Sequence, residues 1–186
     1  ELYTYSEKGK EADFSASDIR YVSQPDFVGT EFHISGKYDM EVRLGIPGLF
    51  NVVNALAAVS VCSFLDLDKE KISHALEHIR VNGRMEIVYT SERCTVLVDY
   101  AHNAVSMESL LSTLRDYKPK RLVCVFGCGG NRSKDRRYSM GEIGGKLADL
   151  SIITADNSRY EKVEDIIADI RGSIEKTGGS FIEIPD

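Results

Sequence analysis

Two short polar segments have the residue types that bind charged small molecules. Asp156-Asn-Ser-Arg159 places a carboxylate, an amide and a guanidinium within four residues, and Arg132 closes the segment Gly127-Cys-Gly-Gly-Asn-Arg132. Arginine binds carboxylates through two parallel hydrogen bonds, and a carboxylate in turn pairs with an ammonium group. The two segments together predict a site for an acidic or zwitterionic ligand such as an amino acid. A solvated loop that leads into a helix is the alternative interpretation of residues 156–159.

The glycine segment by itself has two interpretations. Glycines allow the backbone to approach a ligand closely, but they also allow a tight turn from a strand into a helix. The segment lacks the Gly-Lys-Ser/Thr ending of a P-loop and the spacing of a dinucleotide fingerprint. A Rossmann oxidoreductase is therefore the least favoured function.

Asp99 and His102 form a further candidate site. They lie three residues apart at the carboxyl end of a predicted strand, where a sheet presents side chains to a ligand. In the alternative interpretation, Asp99 caps the next helix and His102 bonds to a backbone carbonyl group. His74 and His78 lie four residues apart on a predicted helix. No third ligand is near them in the sequence, so we expect no metal site there.

The elements that position these residues alternate between short apolar runs and helical patterns. Residues 121–126 and 150–154 are predicted strands, and residues 181–184 begin another. Two helices are predicted from apolar residues that share a face, namely Met140, Ile143, Gly144 and Leu147 in one and Val163, Ile166, Ile167, Ile170 and Ile174 in the other. This alternation is typical of a parallel sheet, in which ligands bind at the carboxyl ends of the strands. Arg132 and residues 156–159 both fall there.

The first 82 residues follow a different pattern. Residues 1–44 are β-rich, and a hairpin is predicted from the alternation of Thr30, Phe32 and Ile34 and of Met40, Val42 and Leu44. A helix is predicted from about Asn51, with one face formed by Val53, Leu56, Ala57, Ser60, Val61 and Phe64, and a second helix over residues 68–80. Residues 81–84 are the predicted domain boundary, because an Asn-Gly turn follows a helix. Beyond it we predict strands over residues 85–89 and 95–99 and a helix over residues 105–117.

Composition excludes several classes of partner. Of the 186 residues, 42% are apolar, which is enough for a core. The net charge of −6 argues against nucleic acid or an anionic membrane as a partner, because either would favour a basic surface. The four cysteines match no zinc spacing, so we expect reduced thiols in a cytosolic protein. We identify no membrane span and no signal peptide. The chain begins abruptly in a strand-like segment, which favours a piece of a longer protein.

Five ordered motifs resemble the Mur ligase family. They are Gly48-Leu-Phe-Asn-Val-Val-Asn-Ala-Leu-Ala-Ala58, Asn82-Gly-Arg-Met-Glu86, Val98-Asp-Tyr-Ala-His102, Phe126-Gly-Cys-Gly-Gly-Asn-Arg132 and Asp156-Asn-Ser-Arg159. Within that family the pattern is most similar to the murein tripeptide synthetases of peptidoglycan precursor synthesis. The resemblance implies an α/β fold, in which residues 1–82 end a central ATP-binding domain and residues 83–186 form most of a Rossmann-like, three-layer carboxyl-terminal domain.

The resemblance also implies a reaction. ATP, with Mg²⁺, would phosphorylate the terminal carboxylate of a UDP-N-acetylmuramoyl dipeptide, and the amine of an amino acid would attack the acyl phosphate. The P-loop, the Mg²⁺ ligands and the catalytic lysine of the family would lie upstream of Glu1. We therefore assign no catalytic residue to this chain, expect it to be inactive alone, and expect its parent to be a monomer of the bacterial cytoplasm.

By the same resemblance, individual positions take binding roles. The ATP contacts would be Asn51 and Asn54 at the adenine, with Arg84, Asp99 and His102 at the ribose and phosphates. The incoming amino acid would meet Arg132, Asp156, Asn157 and Arg159. The arginine that ends this motif is similar to forms that use meso-diaminopimelate, because a guanidinium can hold the distal carboxylate that lysine lacks.

Three departures from the family pattern leave alternatives open. Ser158 replaces the usual proline, Asn131 replaces an aspartate, and Asn103-Ala-Val-Ser106 replaces the commoner Thr-Pro-Asp, a variant also found in lysine-adding relatives. The alternatives are a lysine-adding or dipeptide-adding ligase, a ligase of the folylpolyglutamate synthetase type, and a non-catalytic module that binds a nucleotide or amino acid. The glycine segment and residues 156–159 disfavour the dipeptide-adding and folylpolyglutamate types.

Overall fold

The computed structural model describes residues 2–8 and 12–185. The chain divides into two compact units, residues 1–100 and residues 101–186. The domain boundary that we expect after residue 82 stays a prediction. None of the helices in the described ranges is both long and apolar enough to span a bilayer.

The first unit contains a four-stranded sheet covered by two helices. Its elements are β1 (Tyr5–Ser6), β2 (Phe14–Gln24), β3 (Phe27–Gly36), β4 (Met40–Leu44), α1 (Leu49–Phe64) and α2 (Lys69–His78). The strands lie in the order β1-β2-β3-β4, and β3 pairs with β4 in an antiparallel register that places Thr30 opposite Leu44. The predicted hairpin is therefore confirmed. The long strand β2 was not predicted, because its register shifts between Ser17 and Arg20 and interrupts the alternation.

The buried face of α1 differs from the predicted face. Val52, Leu56 and Val59 are fully buried in the core against the sheet, whereas Val61 and Phe64 are 60% and 58% exposed. The prediction was wrong for these last two residues because α1 is apolar on more than one side, so the sequence periodicity does not select a single face. In α2 the helical spacing predicts a buried face of Ile72, Ala75, Leu76 and Ile79. Ile72 and Leu76 are buried, whereas the prediction is wrong for Ala75 and Ile79, which are exposed at the surface.

A short antiparallel hairpin follows in the same unit. It consists of β5 (Glu86–Thr90) and β6 (Thr95–Val98), which lie within one residue of the predicted bounds at each end. The turn before it places Gly83 at φ 69° and Met85 at φ 45°, in the left-handed region of the backbone. Asp99 stabilises this turn, since its carboxylate accepts a hydrogen bond from the Met85 N–H (2.8 Å).

The second unit is a parallel sheet with one layer of helices. Its elements are α3 (Ala104–Asp116), β7 (Val123–Phe126), α4 (Lys134–Leu147), β8 (Leu150–Thr154), α5 (Val163–Thr177) and β9 (Phe181–Ile184). The strands are parallel in the order β7-β8-β9. The predicted parallel sheet is confirmed, and β8 and β9 have the predicted bounds.

One face of this sheet is buried and the other is open in the described part of the chain. Ile153 on β8 packs into a core with Met107, Met140 and Ile170, one from each of the three helices. On the opposite face, Val125 on β7 is 62% exposed. Within the second unit, residues 101–185 therefore supply the sheet and one helical layer of the expected three-layer arrangement.

A pair of charged side chains holds the amino-terminal edge of the sheet. Two nitrogens of Arg115 donate to the two oxygens of Asp149 (3.0 and 2.9 Å), and Asp149 also accepts from the Leu122 N–H (2.6 Å). The bond from Arg115, followed by that from Leu122, lowers the pKa of the Asp149 carboxyl. This pair lies at the edge opposite to the predicted ligand site, because residues 122 and 149 precede their strands.

Candidate functional site

Two loops meet at the carboxyl edge of the parallel sheet. The glycine loop (residues 127–132) follows β7, and the Asp156 loop (residues 156–159) follows β8. Because β7 and β8 are neighbours, with Phe126 opposite Ile153, the loops emerge side by side. The Gly130 N–H donates to the Asn157 carbonyl oxygen (2.8 Å). The expectation that both segments share this edge is confirmed, while the ligand roles of their side chains stay predictions.

The glycines of the first loop make room for the second loop. A Cβ added at Gly127 would overlap the Thr154 carbonyl oxygen, and one added at Gly130 would overlap the Ser158 carbonyl oxygen. At these two positions the absence of a side chain therefore allows close contact with a neighbouring segment of the same protein, and not with a ligand as the sequence suggested. A side chain at Gly130 would push the two loops apart, and one at Gly127 would push the glycine loop away from the end of β8.

Hydrogen bonds also fix the conformation of the loop backbones. Asn131 and Arg159 have left-handed φ values of 52° and 53°. Asparagine tolerates this region better than most residues, and the Asn131 side-chain oxygen accepts from the Tyr160 N–H (3.2 Å). The Glu161 N–H donates to the Ser158 carbonyl oxygen (3.0 Å). These bonds restrain the Asp156 loop without the proline that the family usually has at position 158.

The four side chains assigned to amino-acid binding are all exposed. Arg132, Asp156, Asn157 and Arg159 lie on this pair of loops. Within the described ranges, none of the four side chains makes a hydrogen bond or an ion pair. Two guanidinium groups, one amide and one carboxylate can therefore bind a ligand without first breaking an internal contact, and they are complementary to a zwitterion.

The expected ATP contacts of the first unit fall into two groups. Asn51 is buried, donates from Nδ2 to the Pro47 carbonyl oxygen (2.7 Å), and accepts from Nδ2 of the exposed Asn54 (3.2 Å). The guanidinium of Arg84 lies over the Tyr100 ring, 4.8 Å from its centroid. The structure thus pairs Asn51 with Asn54, and it places Arg84 within the turn that Asp99 stabilises, between Gly83 and Met85.

The start of α3 corrects one interpretation of Asp99. The helix is capped by Asn103, whose side chain accepts from the Ser106 N–H (3.0 Å), and the Ser106 hydroxyl accepts in return from the Asn103 N–H (3.4 Å). Asp99 binds the Met85 N–H and does not cap this helix. The Asn-Ala-Val-Ser segment is therefore a capping box, and His102 lies exposed just before it.

The structure adds a buried arginine with two carboxylate partners, none of which the sequence indicated as functional. Arg137 on α4 is 1% exposed and forms ion pairs with Glu161 and Asp169. A signal was present in the sequence, because Arg137 shares a helix face with the buried Met140 and Gly144 at spacings of three and seven residues. A charged residue on an apolar face requires a buried partner, but the sequence does not say which carboxylate supplies it.

The described residues contain no cluster of three or more possible metal ligands. The rings of His74 and His78 lie 4.2 Å apart between centroids, and Nδ1 of His78 contacts the His74 carbonyl oxygen (2.8 Å). This pair is thus engaged with its own helix.

The burial of Cys128 in the glycine loop predicts that its thiol reacts slowly with alkylating agents. It is 3% exposed, packs against Met140, and burial raises its pKa to about 11. At about pH 8 it should react with iodoacetamide much more slowly than the exposed Cys94, because only the thiolate reacts, and its rate should rise as the pH approaches about 11. Mass spectrometry of timed samples measures both rates, with urea-unfolded chain as the control. Equal rates in the folded protein would contradict the buried loop.

The second unit is thus an open, parallel α/β fold with a candidate ligand site at the carboxyl edge of its sheet. Residues 83–186 match the family described as Mur ligase, glutamate ligase domain. Together with the relatives below, this match shows that the chain belongs to the Mur ligase family.

Similar proteins extend over almost the whole chain. A UDP-N-acetylmuramoyl-L-alanyl-D-glutamate–2,6-diaminopimelate ligase of Caldanaerobacter subterraneus subsp. tengcongensis is 38% identical over 97% of this chain and 39% of the relative. The ligase of the same name in Alkaliphilus oremlandii is 41% identical over 92% of the chain and 35% of the relative. A solved structure with that name superposes with a TM-score of 0.73 at 31% identity, over 99% of this chain and 37% of the solved one. The chain therefore spans less than half the length of these relatives.

Proposed function

We propose that this chain is a segment of an ATP-dependent ligase that joins meso-diaminopimelate to UDP-N-acetylmuramoyl-L-alanyl-D-glutamate. The observation that carries the proposal is the pair of loops at the sheet edge, where Arg132, Asp156 and Arg159 are exposed on backbones held together by hydrogen bonds. Relatives named as ligases of this kind are 38% and 41% identical to the chain and support the same function.

The chemistry of the side chains favours diaminopimelate as the amino acid. This substrate carries a carboxylate and an ammonium group at each end, whereas lysine has no distal carboxylate. One guanidinium of the loop pair would bind the first carboxylate, the second guanidinium the distal one, and Asp156 an ammonium group. A site with only one arginine would not distinguish the two amino acids by charge.

The ATP contacts would come from a second set of residues. Enzymes of this family use ATP, typically with Mg²⁺. We infer that Asn51 and Asn54 approach the adenine and that Arg84, Asp99 and His102 approach the ribose and phosphates. Asn51 is already oriented by its bond to Pro47 (2.7 Å). ATP would supply the phosphoryl group that activates the substrate carboxylate, and the Mg²⁺ ligands are expected in the preceding part of the parent protein.

In this reaction the chain would orient the incoming amino acid and would not form or break bonds itself. Proximity and orientation contribute strongly to bimolecular reactions, because the enzyme has already restricted the motion of both reactants. We assign no catalytic side chain to residues 1–186. The parent protein would act as a monomer in the bacterial cytoplasm on a UDP-N-acetylmuramoyl dipeptide.

The amino-acid selectivity of the full-length protein tests the proposal. With the UDP-N-acetylmuramoyl dipeptide and ATP present, we expect meso-diaminopimelate to support ADP release far better than lysine, D-alanyl-D-alanine or glutamate. The control omits the amino acid. Preference for lysine would assign the site to a lysine-adding ligase, which the Asn103–Ser106 variant also allows. Preference for glutamate would favour a folylpolyglutamate type, and absence of ADP release with every amino acid would favour a binding module.

A further inference from the structure

A buried arginine lies directly behind the two loops. The Arg137 side chain is 1% exposed, and its Nη2 donates to both carboxylate oxygens of Glu161 (2.9 and 2.8 Å). Its Nη1 donates to Asp169 on α5 (2.9 Å). One guanidinium thus joins α4, α5 and Glu161, which lies two residues after the Asp156 loop.

Glu161 also connects Arg137 to the glycine loop through a hydrogen bond. Its Oε1 accepts from the Asn131 N–H, the residue just before Arg132. Its own N–H donates to the Ser158 carbonyl oxygen (3.0 Å), next to Arg159. The backbones that carry both site arginines are therefore hydrogen-bonded to the same glutamate.

The charges of this cluster are balanced. Lys134 pairs with Asp169 (3.0 Å), so that two cations face two carboxylates. The Asn131 N–H and the Arg137 guanidinium lower the pKa of Glu161, which therefore stays ionised at neutral pH. The Arg137 Nε is buried with no hydrogen-bond partner among the described residues. Burying a guanidinium with one unsatisfied donor costs stability, and a requirement for fixed geometry is one reason to retain such a group.

We propose that Arg137 and Glu161 are positioning residues that set the distance and orientation between Arg132 and Arg159. The inference rests on the proposed amino-acid site and identifies the residues that determine the geometry of its two loops. Arg137 and Glu161 need not touch the substrate. They act through the backbones of Asn131 and Ser158, and a ligand that must be held at both ends depends on that spacing.

Glu161→Gln in the full-length protein is the main test. Glutamine keeps a similar shape but loses the negative charge, and it replaces one of the two oxygens that accept from Arg137 by an NH₂ group, which cannot accept. We expect KM for diaminopimelate to rise about tenfold, while KM for ATP and kcat change less than about twofold. Arg137→Lys retains the positive charge but cannot bridge both carboxylates, and it should shift the same constants in the same direction.

Arg115→Gln is the matched control. It removes an arginine that donates to both oxygens of one carboxylate in the same unit, at the opposite edge of the sheet (3.0 and 2.9 Å). It should lower Tm without changing KM for diaminopimelate. Equal effects of Glu161→Gln and Arg115→Gln on KM would overturn the inference, as would an unchanged KM in Glu161→Gln.

Amide hydrogen exchange separates this inference from the proposed function. The Asn131 and Tyr160 amides should exchange about tenfold faster in Glu161→Gln than in the unsubstituted protein, and should be unaffected in Arg115→Gln. If the unsubstituted protein does not add diaminopimelate, the proposed function fails, and faster exchange still supports the positioning role. Unchanged exchange of both amides would refute that role whatever the substrate.

Discussion

Arg159→Ala in the full-length protein is expected to raise KM for diaminopimelate by roughly 10–150-fold, because a charge-assisted hydrogen bond contributes about 1.5–3 kcal/mol. KM for ATP should change little, since residue 159, on the loop that follows β8, is not among the residues assigned to the nucleotide. The Arg159 side chain makes no ion pair or hydrogen bond within the described ranges, so its removal should not disturb the fold. Steady-state kinetics with each substrate varied in turn measures both constants.

Two comparisons make this result specific. Arg121→Ala removes an exposed guanidinium just before β7, at the other edge of the sheet, and should leave both constants unchanged. With lysine as the substrate, Arg159→Ala should have a smaller effect, because lysine has no distal carboxylate. A parallel rise in KM for ATP and for diaminopimelate would mean that Arg159 supports the structure and does not select the amino acid.

Gly130→Ala is expected to disrupt the loop pair. The new Cβ would overlap the Ser158 carbonyl oxygen, and backbone atoms cannot move aside as a flexible side chain can. Relief of the overlap requires the loops to separate, which would break the bond from Gly130 N–H to Asn157 (2.8 Å). We expect a loss of about 1–3 kcal/mol in the free energy of unfolding and a strong rise in KM for the amino acid. Urea unfolding and steady-state kinetics measure these effects.

Gly172→Ala provides the matched control for this substitution. Gly172 lies within α5, and a Cβ there would meet no atom within 4 Å. Alanine should therefore stabilise the protein by about 0.5–1 kcal/mol through its higher helix propensity. If Gly130→Ala were as well tolerated as Gly172→Ala, the close approach of the two loops would not exist in solution.

The parallel sheet and the shared position of the two candidate-site loops could be predicted from local sequence. Residues 150–154 form a short apolar run between helical patterns, and α5 repeats isoleucines at helical spacing, so both elements were identified within narrow bounds. The carboxyl edge then follows from the direction of the strands. Arg132 and Arg159 could be placed on that edge without coordinates, since each lies within six residues of a strand end.

Other features depend on contacts that no local pattern reveals. The register shift in β2 interrupts an alternation that would otherwise indicate a strand. The buried side of α1 depends on where the sheet lies, because Val61 and Phe64 have the same apolar character as Val52 and Val59. The bond between Asn131 and Glu161 joins residues that are 30 apart in sequence. Periodicity describes one element at a time and does not identify such partners.

The shared anchoring of the loops limits how the amino-acid preference could be altered by exchange of segments. The glycine loop and the Asp156 loop contact each other through Gly130 and Asn157, and Asn131 accepts a bond from Tyr160, the residue that follows the Asp156 loop. If residues 156–159 were replaced alone by those of a relative, the new segment would pack against a glycine loop whose backbone fits the original residues. Under the proposed function, a working graft would have to carry residues 127–132, 156–161 and Arg137 together, because hydrogen bonds to Glu161 join the two loops and Arg137.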